Sequence, residues 1–214
     1  MSEYKLHCFA QSGNSYKAAL MLNLIGADWE PVGVDFFAGE TRSPEFRGTI
    51  NEMGEAPVLE HKGKRLTQSG VILTYLSRLS GKFKAQSEDD ELEVLRWILF
   101  DNHKVTNFMA THRFMHSLMK GANPAVVEFL RGRALSNLKI VDGHLAKQDW
   151  LVGKAPTIAD ISVAGYIYYP AEEHGFDIEK DFPAVHAWRE RIKALPGWKH
   201  PYDLMPQPKT APQK

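Results

Sequence analysis

Gly54 and Pro57 leave little conformational freedom to the stretch Asn51-Glu52-Met53-Gly54-Glu55-Ala56-Pro57-Val58-Leu59. Glycine turns where a side chain would clash. Proline lacks an N–H, so within a sheet it sits at the first residue of a strand or at an edge. The residue before it, Ala56, is pushed into extended backbone. Pro57-Val58-Leu59 therefore reads as the start of a strand, with the N–H and C=O of Ala56 available to pair with an extended ligand. Lys62-Gly63 turns the chain, and Arg65-Leu66-Thr67 returns as a second short strand. Gln68-Ser69-Gly70 then opens a helix. The free N–H groups of a helix start, together with a serine hydroxyl, make a carboxylate site.

Upstream, Tyr4 to Phe9 alternates as a strand. Gln11-Ser12-Gly13-Asn14-Ser15 is dense in turn and cap formers, and residues 16–24 carry a helical stripe closed by Gly26. Glu30 to Asp35 reads as another strand. Residues 36–50 hold turn signals and no clean period, so loop or short helix is expected. The predicted order is strand, helix, strand, hairpin, helix, which is a thioredoxin-like α/β arrangement.

After a polar run at residues 82–90, read as a linker, only helical patterns follow. Helices are expected over residues 91–119, 125–146, 158–169 and 183–195. Thr157-Ile158-Ala159-Asp160 places a hydroxyl and a carboxylate at capping-box spacing ahead of a helix that is apolar nearly all round, and therefore central. The Pro- and Lys-bearing tail, residues 206–214, is expected to fray. The predicted organisation is an α/β N-terminal domain over residues 1–81, the linker, and an all-α C-terminal domain over residues 91–214.

Composition narrows the function. The 214 residues include 26 basic and 26 acidic side chains, so a zero net charge offers no case for a nucleic acid or an anionic membrane as partner. Cys8, the single cysteine, cannot close an internal disulfide and reads as a small buried hydrophobe. No run reaches the roughly 20 apolar residues of a membrane span, and the first residues carry no signal pattern, so a cytoplasmic protein is expected.

The Gly-x-x-Pro-x-Leu run, the Gln-Ser pair and the Thr-Ile-Ala-Asp box, in this order over about residues 4 to 200, resemble the cytosolic glutathione transferases. The Ser12-Gly13-Asn14 sequence is similar to the serine-type members, including plant phi, theta-like and many bacterial enzymes. The resemblance implies the glutathione transferase architecture, glutathione as co-substrate, no metal, and a homodimer paired through the helices around residues 91–119. It implies a cis Ala56–Pro57 bond, with Ala56 pairing with the cysteinyl backbone of glutathione. Ser69 and the Gly70 N–H would hold the γ-glutamyl carboxylate. Arg42 would meet the glycyl carboxylate, with a solvated surface arginine as the alternative. Gln68 stands where relatives carry an acid, so Glu55, or Asp101 of the partner subunit, could face the γ-glutamyl ammonium.

Conjugation requires a thiolate. A thiol with a pKa near 8.5 is only about 3% ionised at pH 7, and lowering it to about 6.5 raises this to about 75%, a change of roughly 2.7 kcal/mol. A hydroxyl donating to sulfur at a helix N-terminus can supply energy of that order. Ser12 is the candidate donor, Ser15 its rival, and Asn14 could orient the hydroxyl or the thiolate. Phe9, Phe36, Phe108, His112 and Met115 are candidates to line an apolar electrophile site, and His112 with His116 could instead form a zinc pair. The expected function is transfer of the glutathione thiolate to small hydrophobic electrophiles. The alternatives are a glutathione-dependent peroxidase, isomerase, dehalogenase or ether lyase on the same site, or a non-catalytic binding module.

Overall fold

A computed structural model describes residues 2–212. Two compact units emerge, one running to Lys82 and taking back Leu195–Ala211, the other covering Phe83–Ala194.

The first unit is built on a four-stranded sheet. Strand β1 (Tyr4–Cys8) leads through helix α1 (Gly13–Ile25) to β2 (Trp29–Gly33), which lies parallel to β1. Two 3-10 turns at Phe36–Ala38 and Glu40–Arg42 and the short helix α2 (Pro44–Thr49) fill the segment that lacked a period. Ser43 caps α2 by accepting from Phe46 N–H at 3.1 Å. The hairpin β3 (Val58–His61) and β4 (Lys64–Thr67) adds antiparallel to β1, with Leu6 opposite Leu59, giving the order β2-β1-β3-β4. Helix α3 (Ser69–Ser80) follows directly and packs on α1. Tyr4, Leu6 and Cys8 alternate into the core, and α1 is buried along most of its length. This is the thioredoxin-like arrangement expected from the pattern of periods.

The unit is completed by the chain's end. Residues 206–210 do not fray as expected. They are hydrogen-bonded to the first unit through Ala10, Gln11 and Asp35, which sequence periodicity cannot reveal because the partners lie about 200 residues upstream. Residues 213 and 214 of the expected tail lie outside the described residues.

The second unit is all-helical. Helix α4 (Glu88–Phe100) starts inside the predicted linker, because Ser87 caps it and four acids occupy its first turn. A π turn at Asp101–Val105, helix α5 (Thr106–Arg113) and a second π turn at Phe114–Leu118 continue it. Helix α6 (Pro124–Leu145) follows after Asn123 caps it. Helix α7 (Ile158–Val163) is fully buried, as predicted, and ends in a 3-10 turn at Ala164–Tyr166. Short helices α8 (Ala171–His174) and α9 (Ile178–Asp181) precede α10 (Pro183–Lys193). The last helix, α11 (Pro201–Leu204), belongs to the first unit.

A buried histidine makes the second unit sensitive to acid. Desolvation, and then the Arg113 guanidinium, push the His174 pKa down to about 3. Its unfolded value is about 6.5, so between those limits the unfolded chain binds the extra proton. Stability is therefore full above about pH 6.5 and is lost as pH falls toward 3, by an amount on the order of 5 kcal/mol. Urea midpoints measured from pH 7 to 4 should fall more steeply for the wild type than for His174→Phe. Parallel slopes would rule His174 out as the cause.

Candidate functional site

The loop after β1 and the start of α1 form one half of the site. Ser12 sits at the N-cap of α1, with φ −90° and ψ 106°, and its Oγ accepts from Ser15 N–H at 3.1 Å. The capping bond uses an oxygen lone pair and leaves the hydroxyl proton to be donated. Ser12 is 6% exposed, whereas Ser15 is sealed at 0% and its own hydroxyl has no partner among the described residues. Sequence spacing left these two serines as rivals, and both are buried.

The other half is the β3 edge and the start of α3. The Ala56–Pro57 bond is cis, as expected. The β1–β3 ladder begins at Val58, so Ala56 lies just beyond it, half-buried. Ser69 and Gly70 are buried at the start of α3. No side chain caps that helix, so its first N–H groups keep their capacity to bind an anion. Ser69 Oγ donates to Asn14 Oδ1 at 3.5 Å, a long bond that links the N-terminal turns of α1 and α3. Two helix N-termini, each with partial positive charge, thus face one region.

Around this pair, Gln68 has φ 65°, the left-handed region that a glutamine rarely occupies, and its Nε2 donates to Glu55 Oε2 at 3.1 Å and contacts Met53 Sδ at 3.3 Å. Glu55 and Gln68, both named from the sequence, are therefore brought together. Gly54 has φ 68°, and a Cβ there would lie 2.8 Å from both the Arg47 guanidinium and Thr41 O. Only glycine fits that approach. Arg42 is exposed at the end of a 3-10 turn. Phe9 and Phe36 stack with centroids 4.7 Å apart and share a cluster with Val34, Phe46 and Val58.

Sequence reasoning missed Asn51. Its buried carboxamide accepts from Met53 N–H at 3.1 Å and donates to Glu55 C=O at 2.8 Å, shaping the turn that presents Glu55 and Ala56. An asparagine two residues ahead of a backbone N–H it could bind was the available signal.

Phe108, His112 and Met115 belong to the second unit. Phe108 is half-buried under the Arg133 guanidinium, 5.2 Å from its centroid, and Met115 is half-buried in a π turn. His112 does not fit the lining role assigned to it. It is fully buried, and its ring nitrogens face the carbonyl oxygens of His174 at 2.7 Å and Val127 at 3.2 Å. The same contacts occupy the nitrogens a zinc pair would need, and burial pulls its pKa down. Asp101 is likewise committed to its own unit. It is fully buried, accepting from Thr106 Oγ1 at 2.8 Å and Ser162 Oγ at 2.6 Å, so it cannot reach a partner's ligand from this position.

Cys8 is fully buried, and desolvation raises its thiol pKa to about 12. It is inert at neutral pH, so any thiolate acting at Ser12 must come from a ligand.

Comparison with known proteins accords with this geometry. The N-terminal domain model of the glutathione S-transferase family matches residues 2–78, and its C-terminal domain model matches residues 105–196. Glutathione S-transferase F14 of Arabidopsis thaliana is 27% identical over 96% of this chain and 88% of its own. Maleylacetoacetate isomerase of Rhizobium meliloti is 30% identical over 78% of this chain and 81% of its own. The crystal structure of a possible glutathione S-transferase from Rhodopseudomonas palustris superposes with a TM-score of 0.86 at 34% identity, covering 94% of this chain and 98% of that one. With a thioredoxin-like sheet, a cis proline at the strand edge and two helix N-termini joined through Asn14 and Ser69, the chain belongs to the glutathione S-transferase family.

Proposed function

We propose that this protein is a serine-type, phi/theta-like transferase that conjugates the thiolate of glutathione to small apolar electrophiles, a detoxifying activity, and that it works as a cytoplasmic homodimer. The observation that carries the reading is the link between Asn14 and Ser69 across two helix N-termini. One end suits a thiolate and the other a carboxylate, the two anionic groups that glutathione would place there.

In this reading the Ser69 hydroxyl and Gly70 N–H take the γ-glutamyl carboxylate. The Ala56 backbone pairs with the cysteinyl residue, Glu55 held by Gln68 faces the γ-glutamyl ammonium, and Arg42 meets the glycyl carboxylate. The Ser12 hydroxyl then donates to sulfur. The Ser15 N–H that Ser12 accepts polarises that O–H and strengthens it as a donor. The thiol proton leaves to water, and the sulfur lone pair attacks the electrophilic carbon while the leaving group departs with its electrons. Phe9 and Phe36 supply an apolar face for the electrophile. Dimer formation is supported by Leu92, Leu95 and Leu99 on one stripe of α4, which are 68%, 52% and 60% exposed.

A second reading, glutathione-dependent isomerisation, draws on the isomerase relative. In that case the same thiolate adds to a double bond and later leaves unchanged. Calorimetric titration with glutathione, followed by turnover of activated aryl halides and of maleylacetoacetate, separates the two. Glutathione bound with conjugates formed is the expected result. Isomerised product with no conjugate would replace transfer by isomerisation. Absence of glutathione binding would sink both readings, and a monomer in light scattering at micromolar concentration would remove the dimer.

A further inference from the structure

The geometry of the Ser12 loop points to the chain's C-terminal strap. We infer that residues 205–210 are a positioning element for the thiol-activating hydroxyl, with Gln207 and Thr210 as positioning residues; the inference rests on Ser12 being the thiolate donor. The Phe9–Ser12 turn is closed by Ser12 N–H donating to Phe9 C=O at 3.0 Å. Its two middle residues are held from outside the turn. Ala10 N–H donates to Pro206 C=O at 2.9 Å, and Gln11 Nε2 donates to Gln207 Oε1 at 2.6 Å. The strap then runs past Gly33, where a Cβ would stand 3.7 Å from the Pro206 ring. Its far end is fixed by Asp35, whose carboxylate accepts both Thr210 N–H at 3.0 Å and Thr210 Oγ1 at 2.9 Å.

Asp35 directly precedes Phe36, whose ring stacks on Phe9. One segment therefore pins the loop carrying Ser12 and the loop carrying the aromatic face. The segment itself is anchored upstream by Tyr16 Oη donating to Lys199 C=O at 2.8 Å and by Asn23 Nδ2 donating to Gly197 C=O at 2.6 Å. A turn held in this way keeps the Ser12 hydroxyl at one place relative to the incoming sulfur. A turn released at Ala10 and Gln11 can rotate, and a hydrogen bond weakens steeply with misalignment. The strap's hydrogen bonds run to Ala10, Gln11 and Asp35, whereas the Ser69 hydroxyl bonds Asn14.

The test is the double variant Gln207→Ala/Thr210→Val in the full-length protein. The acid limb of kcat/KM for glutathione should move upward by about half a pH unit or more, which is about threefold in rate below the limb. The KM for glutathione should change less than twofold, and Thr210→Ser should restore the limb in its own background. A limb that stays in place while thermal stability drops would make the strap a packing element and overturn the inference. If the double variant does not fold, Thr210→Val alone, which removes a single side-chain donor, is measured in the same way, and a limb that stays in place overturns the inference equally. Wild type that binds no glutathione would instead overturn the functional reading itself, and this inference with it.

Discussion

Ser12→Ala should lose most conjugating activity while still binding glutathione. In the proposed complex the sulfur is the one group of glutathione that the hydroxyl meets, and the contact matters most when sulfur carries charge, so its loss falls on the thiolate and the transition state rather than on the tripeptide. The acid limb of kcat/KM should rise by about one to two pH units if the hydroxyl supplies most of the roughly 2.7 kcal/mol needed. At pH 6.5 that corresponds to about a five- to fiftyfold loss in rate. Alanine also removes the cap of α1, at about 1 kcal/mol of stability. Ser12→Gly separates the two effects, because glycine at an N-cap costs only a few tenths of a kcal/mol. It should show the same kinetic loss with a melting temperature close to wild type. Ser15→Ala, which deletes a sealed hydroxyl, should leave the limb near its original pH. Ser69→Ala should instead raise the KM for glutathione. A limb that moves with Ser15→Ala and stays with Ser12→Ala would mean that the wrong serine has been named.

Asp160→Ala should cost about 3–5 kcal/mol of stability, enough to leave little folded protein at 37 °C. The carboxylate, in the first turn of α7, is fully buried and is surrounded by donors. Leu151 N–H and Trp188 Nε1–H each bond Oδ1 at 2.9 Å, and Thr157 N–H bonds Oδ2 at 2.8 Å. The Thr157 hydroxyl closes the capping box by accepting from Ala159 N–H at 3.2 Å. Burial pushes the Asp160 pKa up, and the donors around it pull it down. Alanine would strand three buried N–H groups, each costing about 1–3 kcal/mol, with partial overlap as the site relaxes. Asp160→Asn keeps one acceptor but turns an NH2 toward donors, so it should fall between alanine and wild type. Urea denaturation is the measurement. A midpoint within the scatter of wild type for Asp160→Ala would refute the view that this residue knits α7, the 151 segment and α10 together.

These two residues illustrate what can be read locally. Thr157 and Asp160 lie three apart ahead of an apolar run, so both the cap and its burial follow from adjacent positions. Asp160 also reaches Leu151 and Trp188, and neither contact has a periodic signature. Ser12 was legible as a cap after a strand, and Pro57 as a strand opener, for the same reason: each acts on its immediate neighbours. His112 and Asp101 were misjudged because helical spacing reports a side chain's direction around an axis, not what covers it. His112 points at helical spacing toward the backbone carbonyls of Val127 and His174, and Asp101 toward the Ser162 hydroxyl.

The division is thus one of range. Residue order alone determined the α/β half, the helical half, the proline-opened strand, the helix start at Ser69 and the capping box, because each depends on φ/ψ preference or periodicity within a few residues. Tertiary structure alone decided that both Ser12 and Ser15 are buried, and that Asn14 meets Ser69 across 55 positions. It also decided that the chain's end, bound to Ala10, Gln11 and Asp35, is part of the first unit. These outcomes depend on which buried polar groups find partners when distant segments pack, and no local preference encodes that choice.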